Sequence, residues 1–200
     1  LSHDGTDSKI RNFTGNLEII NNTDDGDIIF KSDDGSGSLK SYFYLDGSIG
    51  ATIVPDSTSL GFGTGGDMYI SHDATNTHIT NFTGHLYITN KSDDKDIIFR
   101  SDDGSGDITT YFQLYGNHSG NPVTQFPDNS QIHFGDGFDF RITHDGSQSI
   151  LNNQTGNLEI VQNADDADII FKCDDGSGGT TAYLTLDGGL GRTNIHKRVR

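Results

Sequence analysis

The seven residues Asp24-Asp25-Gly26-Asp27-Ile28-Ile29-Phe30 begin a pattern that the chain repeats twice more. The counterparts are Asp93-Asp94-Lys95-Asp96-Ile97-Ile98-Phe99 and Asp165-Asp166-Ala167-Asp168-Ile169-Ile170-Phe171. The three copies start at positions 24, 93 and 165, so their spacing is nearly constant. His-Asp pairs at 3–4, 72–73 and 144–145 keep the same spacing. The chain is therefore an array of related repeats.

We place the boundaries of the repeats at 1–65, 66–137 and 138–200. The first repeat has no counterpart of residues 66–70, and the third stops before a counterpart of Phe62-Gly63. We therefore expect the chain to be part of a longer one. The three extra residues of the middle repeat lie between Gly116 and Pro127, which predicts a loop there.

Apolar residues alternate with polar ones inside each repeat, as in Leu17 and Ile19 or in Ile28 and Phe30. Such runs of four to six residues are bounded by Asp, Asn, Gly and Ser about every ten residues, which is typical of short strands. No window has the periodicity of a three-turn helix. The pattern predicts an all-β protein.

The apolar content is low, at 31% hydrophobic residues with no Trp, and the chain has 26 Gly but only 3 Pro. Each short strand supplies about two inward side chains. Burying these at about 25 cal/mol per Å² hardly offsets roughly 1–2 kcal/mol of backbone entropy per residue. We therefore expect copies of the chain to share a core, as a parallel, intertwined homotrimer forming an elongated β-helix or β-prism shaft. The alternative is a monomeric β-solenoid.

The net charge is −16, from 29 acidic and 13 basic residues, and only Glu18 and Glu159 of the acids are glutamates. Such a field repels nucleic acids and anionic membranes, so we expect neither as a partner. The apolar runs are too short to cross a bilayer. The only cysteine, Cys173, excludes a disulfide within the chain.

The repeated pattern resembles that of marine bacteriophage virion proteins, notably tail fibres. The similarity rests on His-Asp-Gly-Thr-Asp-Ser at 3–8, His-Asp-Gly-Ser-Gln-Ser at 144–149, and Thr-Gly-Asn-Leu-Glu-Ile at 14–19 and 155–160. The Asp-Ile-Ile-Phe and Asp-Asp-Gly-Ser-Gly segments belong to the same pattern. The resemblance implies an elongated, trimeric appendage with a host-contacting tip. The middle copy departs from it, with Ala74 in the turn and His85 in place of Asn16.

The repeated histidines His3, His72 and His144 are candidate metal ligands. In a trimer, three copies of each would converge on the axis and bind a metal ion or an anion, because imidazole is a common ligand. The competing interpretation, which we favour, is a turn in which Asp4, Asp73 and Asp145 accept hydrogen bonds from the following backbone amides.

The Asp-Asp-Gly-Ser-Gly segments are candidate calcium loops, because Ca²⁺ binds carboxylate and carbonyl oxygens. The residues concerned are Asp33, Asp34, Asp102, Asp103, Asp174 and Asp175. They match neither the EF-hand loop nor the nonapeptide calcium repeat. A solvated hairpin tip is the favoured alternative. We expect no other cofactor.

Aromatic residues at 42–44, 111–112 and 183 form either a sugar-stacking surface or, as we favour, cross-strand packing. Acidic residues recur in every repeat, whereas an active site is usually a unique feature, so we expect no enzyme.

We expect a structural shaft of a phage tail fibre or similar extracellular appendage, located on the virion or outside the cell. Its partners would be copies of itself and, through a tip outside these residues, a cell-surface glycan or receptor. Two alternatives are a calcium-dependent bacterial adhesin and, less favoured, a tailspike-like carbohydrate hydrolase.

Overall fold

The structure is a computed structural model that describes residues 2–118 and 120–197. These residues form seventeen β-strands and no helix, so the all-β prediction is confirmed. The described residues contain no helix long and apolar enough to span a membrane. The chain divides into two units, Leu1–Ile88 and Thr89–Arg200.

Eight strands belong to the first unit. They are β1 (Ser2–His3), β2 (Ser8–Lys9), β3 (Ile28–Asp33), β4 (Leu39–Asp46), β5 (Ala51–Ile53), β6 (Ser59–Phe62), β7 (Met68–His72) and β8 (Thr77–Asn81). Nine strands belong to the second unit. They are β9 (Ile97–Asp102), β10 (Ile108–Tyr115), β11 (Val123–Gln125), β12 (Gln131–Phe134), β13 (Phe140–His144), β14 (Ser149–Asn153), β15 (Ile169–Asp174), β16 (Thr180–Asp187) and β17 (Arg192–Ile195).

The strands form antiparallel meanders of two recurring kinds. The long sheets are β3-β4-β5, β9-β10-β11 and β15-β16-β17, each built around a strand of eight residues. The short sheets are β6-β7-β8 and β12-β13-β14, and β1-β2 is a two-stranded equivalent. The predicted loop insertion is confirmed, because β10 ends at Tyr115 and β11 begins at Val123, a longer separation than that between Asp46 of β4 and Ala51 of β5.

Each long sheet contains a β-bulge at a tyrosine of its central strand. The register shifts by one residue at Tyr42, Tyr111 and Tyr183. Each tyrosine hydroxyl donates a hydrogen bond to the last carbonyl of the preceding strand, that of Asp33, Asp102 or Asp174, at 2.8, 2.8 and 3.0 Å. A bulge increases the local twist of a strand pair, and here a side chain holds it in place.

A proline turn joins the long sheet to the short sheet in each unit. In the first unit, the Ser57 amide donates to the His72 carbonyl at 2.8 Å, and the Lys40 ammonium donates to the Ser57 carbonyl at 2.9 Å. In the second unit, the Asn129 amide donates to the His144 carbonyl, also at 2.8 Å. The turn therefore ties one sheet to the next along the chain.

The described part of the chain has no apolar core. None of its hydrophobic side chains is buried, and the only two buried residues are Thr58 and Thr185. Within each unit, every described strand contacts only strands of its own sheet. The sheets are therefore single layers.

Candidate functional site: the exposed apolar faces of the sheets

The long sheets present one apolar face that is the same in all three repeats. In the first, the pairs Ile28–Leu45 and Phe30–Phe43 lie directly across β3 and β4. Side chains two residues apart share a face of a strand, so these four lie together. The corresponding residues of the other long sheets are Ile97, Phe99, Phe112 and Leu114, and Ile169, Phe171, Leu184 and Leu186. We call this set the long-sheet face.

The opposite side of the long sheets is not kept apolar. The row Ile29–Tyr44–Ile53 of the first sheet becomes Ile98–Gln113–Gln125 in the second and Ile170–Thr185–Asn194 in the third. The Gln113 amide donates to the Gln125 side-chain oxygen at 2.8 Å. The repeats therefore preserve apolar character on one side of the sheet only, which is the pattern of a sheet with one packed and one solvated face.

The short sheets have the same one-sided character. The rows Leu60–Ile70–Ile79 and Phe62–Met68 lie on one face of β6-β7-β8. The second short sheet has Ile132–Ile142–Leu151 and Phe134–Phe140 in the same places. These residues form the short-sheet face.

None of the side chains of these faces is buried in the described part of the chain. Phe99 and Leu114 of the long-sheet face are 39% and 44% exposed, and Phe134 and Leu151 of the short-sheet face are 52% and 60% exposed. A sheet buries its apolar face against a second layer, and contiguous exposed apolar surface marks an interaction site. The two faces are therefore the candidate functional surface.

Two of the candidate aromatic residues, Phe43 and Phe112, pack across strands, which agrees with the favoured interpretation for them. Phe30 and Phe43 stack with ring centroids 4.4 Å apart, and Phe99 and Phe112 repeat this at 4.4 Å. Such pairs stabilise neighbouring strands. The stacked rings belong to the long-sheet face, so they stiffen it as well as supply its area.

The His-Asp pairs form hydrogen-bonded turns at the ends of strands β1, β7 and β13. The Asp73 carboxylate accepts from the amides of Thr75 and Asn76 at 2.9 and 2.7 Å. Its pKa lies below the usual range, because of these backbone hydrogen bonds, chiefly that from Asn76, and of the neighbouring His78. Asp4 and Asp145 make the equivalent amide contacts. The favoured turn interpretation thus matches the observed geometry.

The turn persists in the middle repeat despite its altered sequence. Ala74 occupies the position of Gly5 and Gly146, with φ of 79° against 98° and 90°. This is the left-handed region, which costs a residue with a Cβ energy that glycine does not incur.

The histidine rings have separate partners within the chain. The His72 ring nitrogen Nδ1 lies 3.0 Å from the Asp56 carboxylate, and that of His144 lies 3.0 Å from the Ser149 hydroxyl. The His3 ring contacts the Ser8 hydroxyl at 3.3 Å. No group of three or more His, Cys, Asp or Glu side chains converges as metal ligands would within the described residues. The axial metal hypothesis concerns residues from three chains and stays a prediction.

The hairpin tips use their aspartates to close their own loops. We call Asp34, Asp103 and Asp175 the tip aspartates. Each accepts hydrogen bonds from the hydroxyl and the amide of the serine two residues later, at 2.6–2.8 Å. The serine hydroxyl is the main cause that lowers the pKa of these carboxyls, followed by the backbone amides.

The aspartate before each tip aspartate binds a glycine amide of the same hairpin loop. Asp33, Asp102 and Asp174 each accept from the glycine amide two residues later at 2.7 Å. One oxygen of each tip carboxylate is thus engaged by the loop itself. Calcium binding at these six residues stays a prediction.

Two residues that hold turns and strand ends together were not among those that the sequence pattern singled out. Asn81 donates to the carbonyls of Thr83 and Gly84 at 2.9 and 3.0 Å and closes the turn after β8. Asp96 accepts from the Gly116 amide at 2.7 Å and ties the start of β9 to the end of β10. Both recur at the repeat spacing, as Asn12 and Asn153 and as Asp27 and Asp168, and that spacing was the signal that could have identified them.

No known protein family matches this chain, and comparisons with curated proteins and with solved structures find no similar chain.

Proposed function

We propose that this chain is a structural segment of a homotrimeric fibre shaft, carried by an extracellular or virion appendage such as a phage tail fibre, without a catalytic role. The observation that carries the proposal is the pair of apolar faces, repeated along the chain and uncovered among its described residues. The resemblance of the repeats to tail-fibre sequences supports the virion setting.

The partner that fits these faces is a second and a third copy of the chain. The faces recur at the spacing of the sequence repeats, so a partner must carry matching surfaces at matching intervals. A parallel, in-register copy does so at every repeat. Rotation about a three-fold axis closes such an assembly, and a closed ring leaves no surface for further growth sideways.

Three copies suit the width of the sheets. A three-stranded sheet is about 14 Å wide at roughly 4.8 Å per strand. Two such sheets face to face would cover the apolar rows but leave four strand edges open. Three sheets around an axis form a triangular prism in which each edge lies beside an edge of the next sheet, which manages the edges that would otherwise aggregate.

The charge distribution agrees with an assembly of this kind. The long-sheet and short-sheet faces contain no acidic residue in any repeat. The net charge of −16 per chain therefore comes from the turns and the other side of the sheets. In the prism that side faces water, where a high net charge keeps fibres apart. Host contact belongs, in this proposal, to a tip outside these residues.

The test is the mass of the purified chain in solution, measured by light scattering after size exclusion. We expect three times the 21.7 kDa of one chain, with and without a chelator. A monomer at micromolar concentration would contradict the proposal. Loss of the trimer on chelation, restored by Ca²⁺, would favour the calcium-dependent adhesin instead.

A further inference from the structure

Each repeat contains a segment outside the strands whose backbone is unpaired among the described residues. The segments are residues 16–20, 85–89 and 157–161, and we call them the unpaired segments. In the part of the chain that the structure describes, no backbone or side-chain hydrogen bond involves these residues, and none of them belongs to a strand. Buried backbone amides and carbonyls of folded proteins are nearly always paired. The large apolar side chains of these segments are exposed in the single chain, so a partner that buries them would also pair their backbone.

The side chains of the unpaired segments have the pattern of a strand. Over the first four residues, Leu17 and Ile19 alternate with Asn and Glu, and Leu158 and Ile160 do the same in the third repeat. Leu158 and Ile160 are 51% and 59% exposed, although they are large and apolar. Five residues are also the usual length of a strand.

The chain holds the third unpaired segment between two closed turns. Asn153 donates to the carbonyls of Thr155 and Gly156 just before it. The Gln162 side chain accepts from the Ala164 amide just after it, at 2.9 Å. Turns thus fix the chain on both sides of the segment, which lowers the entropy that the segment loses when it pairs.

The first repeat holds its unpaired segment in the same way. Asn12 donates to the Gly15 carbonyl at 3.0 Å before it. Asn21 donates to the Asp27 carbonyl at 3.0 Å after it and accepts from the Thr23 amide.

We propose that the unpaired segments add a strand to the sheet edges of a neighbouring copy of the chain, by backbone hydrogen bonding between chains. This inference rests on the proposed trimer and names the element that joins its walls. A second copy is the partner because it supplies sheet edges at the same spacing as the segments themselves. Addition of an extended segment to a free sheet edge is a common mode of recognition.

Hydrogen exchange of the assembled chain tests the inference. We expect every second amide of 158–161, either 158 and 160 or 159 and 161, to exchange at least about a hundredfold more slowly than in a synthetic peptide of residues 155–164, because bonds to one sheet edge protect the donors that point toward it. The amides of 17–20 and 86–89 should behave alike. Exchange of all these amides at the peptide rate in an intact trimer would overturn strand addition without contradicting the trimer.

Proline substitution gives an independent test with a matched control. Glu159→Pro and Ile160→Pro remove backbone donors that point to opposite sides of the segment, and neither donor has a partner among the described residues of one chain. Glu159→Ala and Ile160→Ala keep the donor and lose the same side chain. We expect at least one proline variant to melt about 2–4 °C below its alanine counterpart. If both proline variants match their alanine counterparts in an intact trimer, the inference fails. If the wild-type chain is a monomer, the trimer and strand addition both fail.

Discussion

Substitutions on opposite sides of one long sheet can show whether its long-sheet face is buried between copies of the chain. Leu114 belongs to the long-sheet face and is 44% exposed in the single chain, whereas Ile98 lies on the opposite side and is 48% exposed. Because their exposures nearly match, Leu114→Thr and Ile98→Thr should cost a monomer almost the same. In the trimer, only the first variant alters the common interior.

The magnitude follows from the exposed share of each side chain. Full burial of Leu or Ile contributes about 1.5–3 kcal/mol, so covering the exposed part of Leu114 adds about 1 kcal/mol per chain. A threonine hydroxyl buried without a partner costs about 1–3 kcal/mol more. We therefore expect Leu114→Thr to lower the free energy of unfolding by about 2–4 kcal/mol per chain beyond Ile98→Thr.

Urea unfolding followed by far-ultraviolet circular dichroism measures this difference. The protomer concentration must be equal for both variants, because assembly makes apparent stability depend on it. If the two variants agree to within about 0.5 kcal/mol, the usual scatter of surface substitutions, the long-sheet face is not a shared interior.

Three further predictions concern local structure. Gly116→Ala should destabilise the protein by about 2–4 kcal/mol in urea unfolding, because the new Cβ would clash with the Lys95 carbonyl oxygen and disturb the hydrogen bond of the residue 116 amide. The control Gly65→Ala, where a Cβ has room, should change the stability by no more than about 0.5 kcal/mol. Equal effects of the two substitutions would refute the close approach at Gly116. Ala74→Gly should raise stability by about 1 kcal/mol, because glycine adopts the positive φ of this position without the cost of a Cβ. Gly5→Ala should lower stability for the same reason, and melting temperatures measure both changes. No gain on substitution of Ala74 would contradict the left-handed turn. The pKa of each tip aspartate is lowered in the folded chain, so the contribution of these carboxylates to stability is complete above pH of about 4 and is lost as the pH falls further. Changing all three to Asn should weaken the fall of the urea midpoint on acidification. An unchanged fall would exclude a role of the tip aspartates in acid stability.

Alternation of residue types was enough to predict the strands and the repeats. Ile28 and Phe30 lie in β3 as expected, and the extra residues after Gly116 fall between β10 and β11. These features depend on residues that are close in sequence, so the sequence of one chain is enough to predict them. The His-Asp turns were predictable for the same reason, because Asp73 accepts from amides two and three residues away.

The pairing partner of the segment that contains Leu17 and Ile19 could not be predicted from the sequence. The segment has the alternation typical of a strand, yet it pairs with nothing among the described residues. In our proposal its partner belongs to another copy, and no local pattern specifies which edge that is. The bulge at Tyr111 was also missed, because one extra residue in a strand leaves the composition of the run unchanged.

The central claim, that the long-sheet faces of separate copies meet, is tested most directly by disulfide crosslinking. Cys173→Ser removes the native thiol and restores the serine of the other repeats. In that background, Leu114→Cys should give covalently linked chains on mild oxidation, whereas Ile98→Cys should stay uncrosslinked. Absence of crosslinking at residue 114, or equal crosslinking at residue 98, would contradict the shared interior.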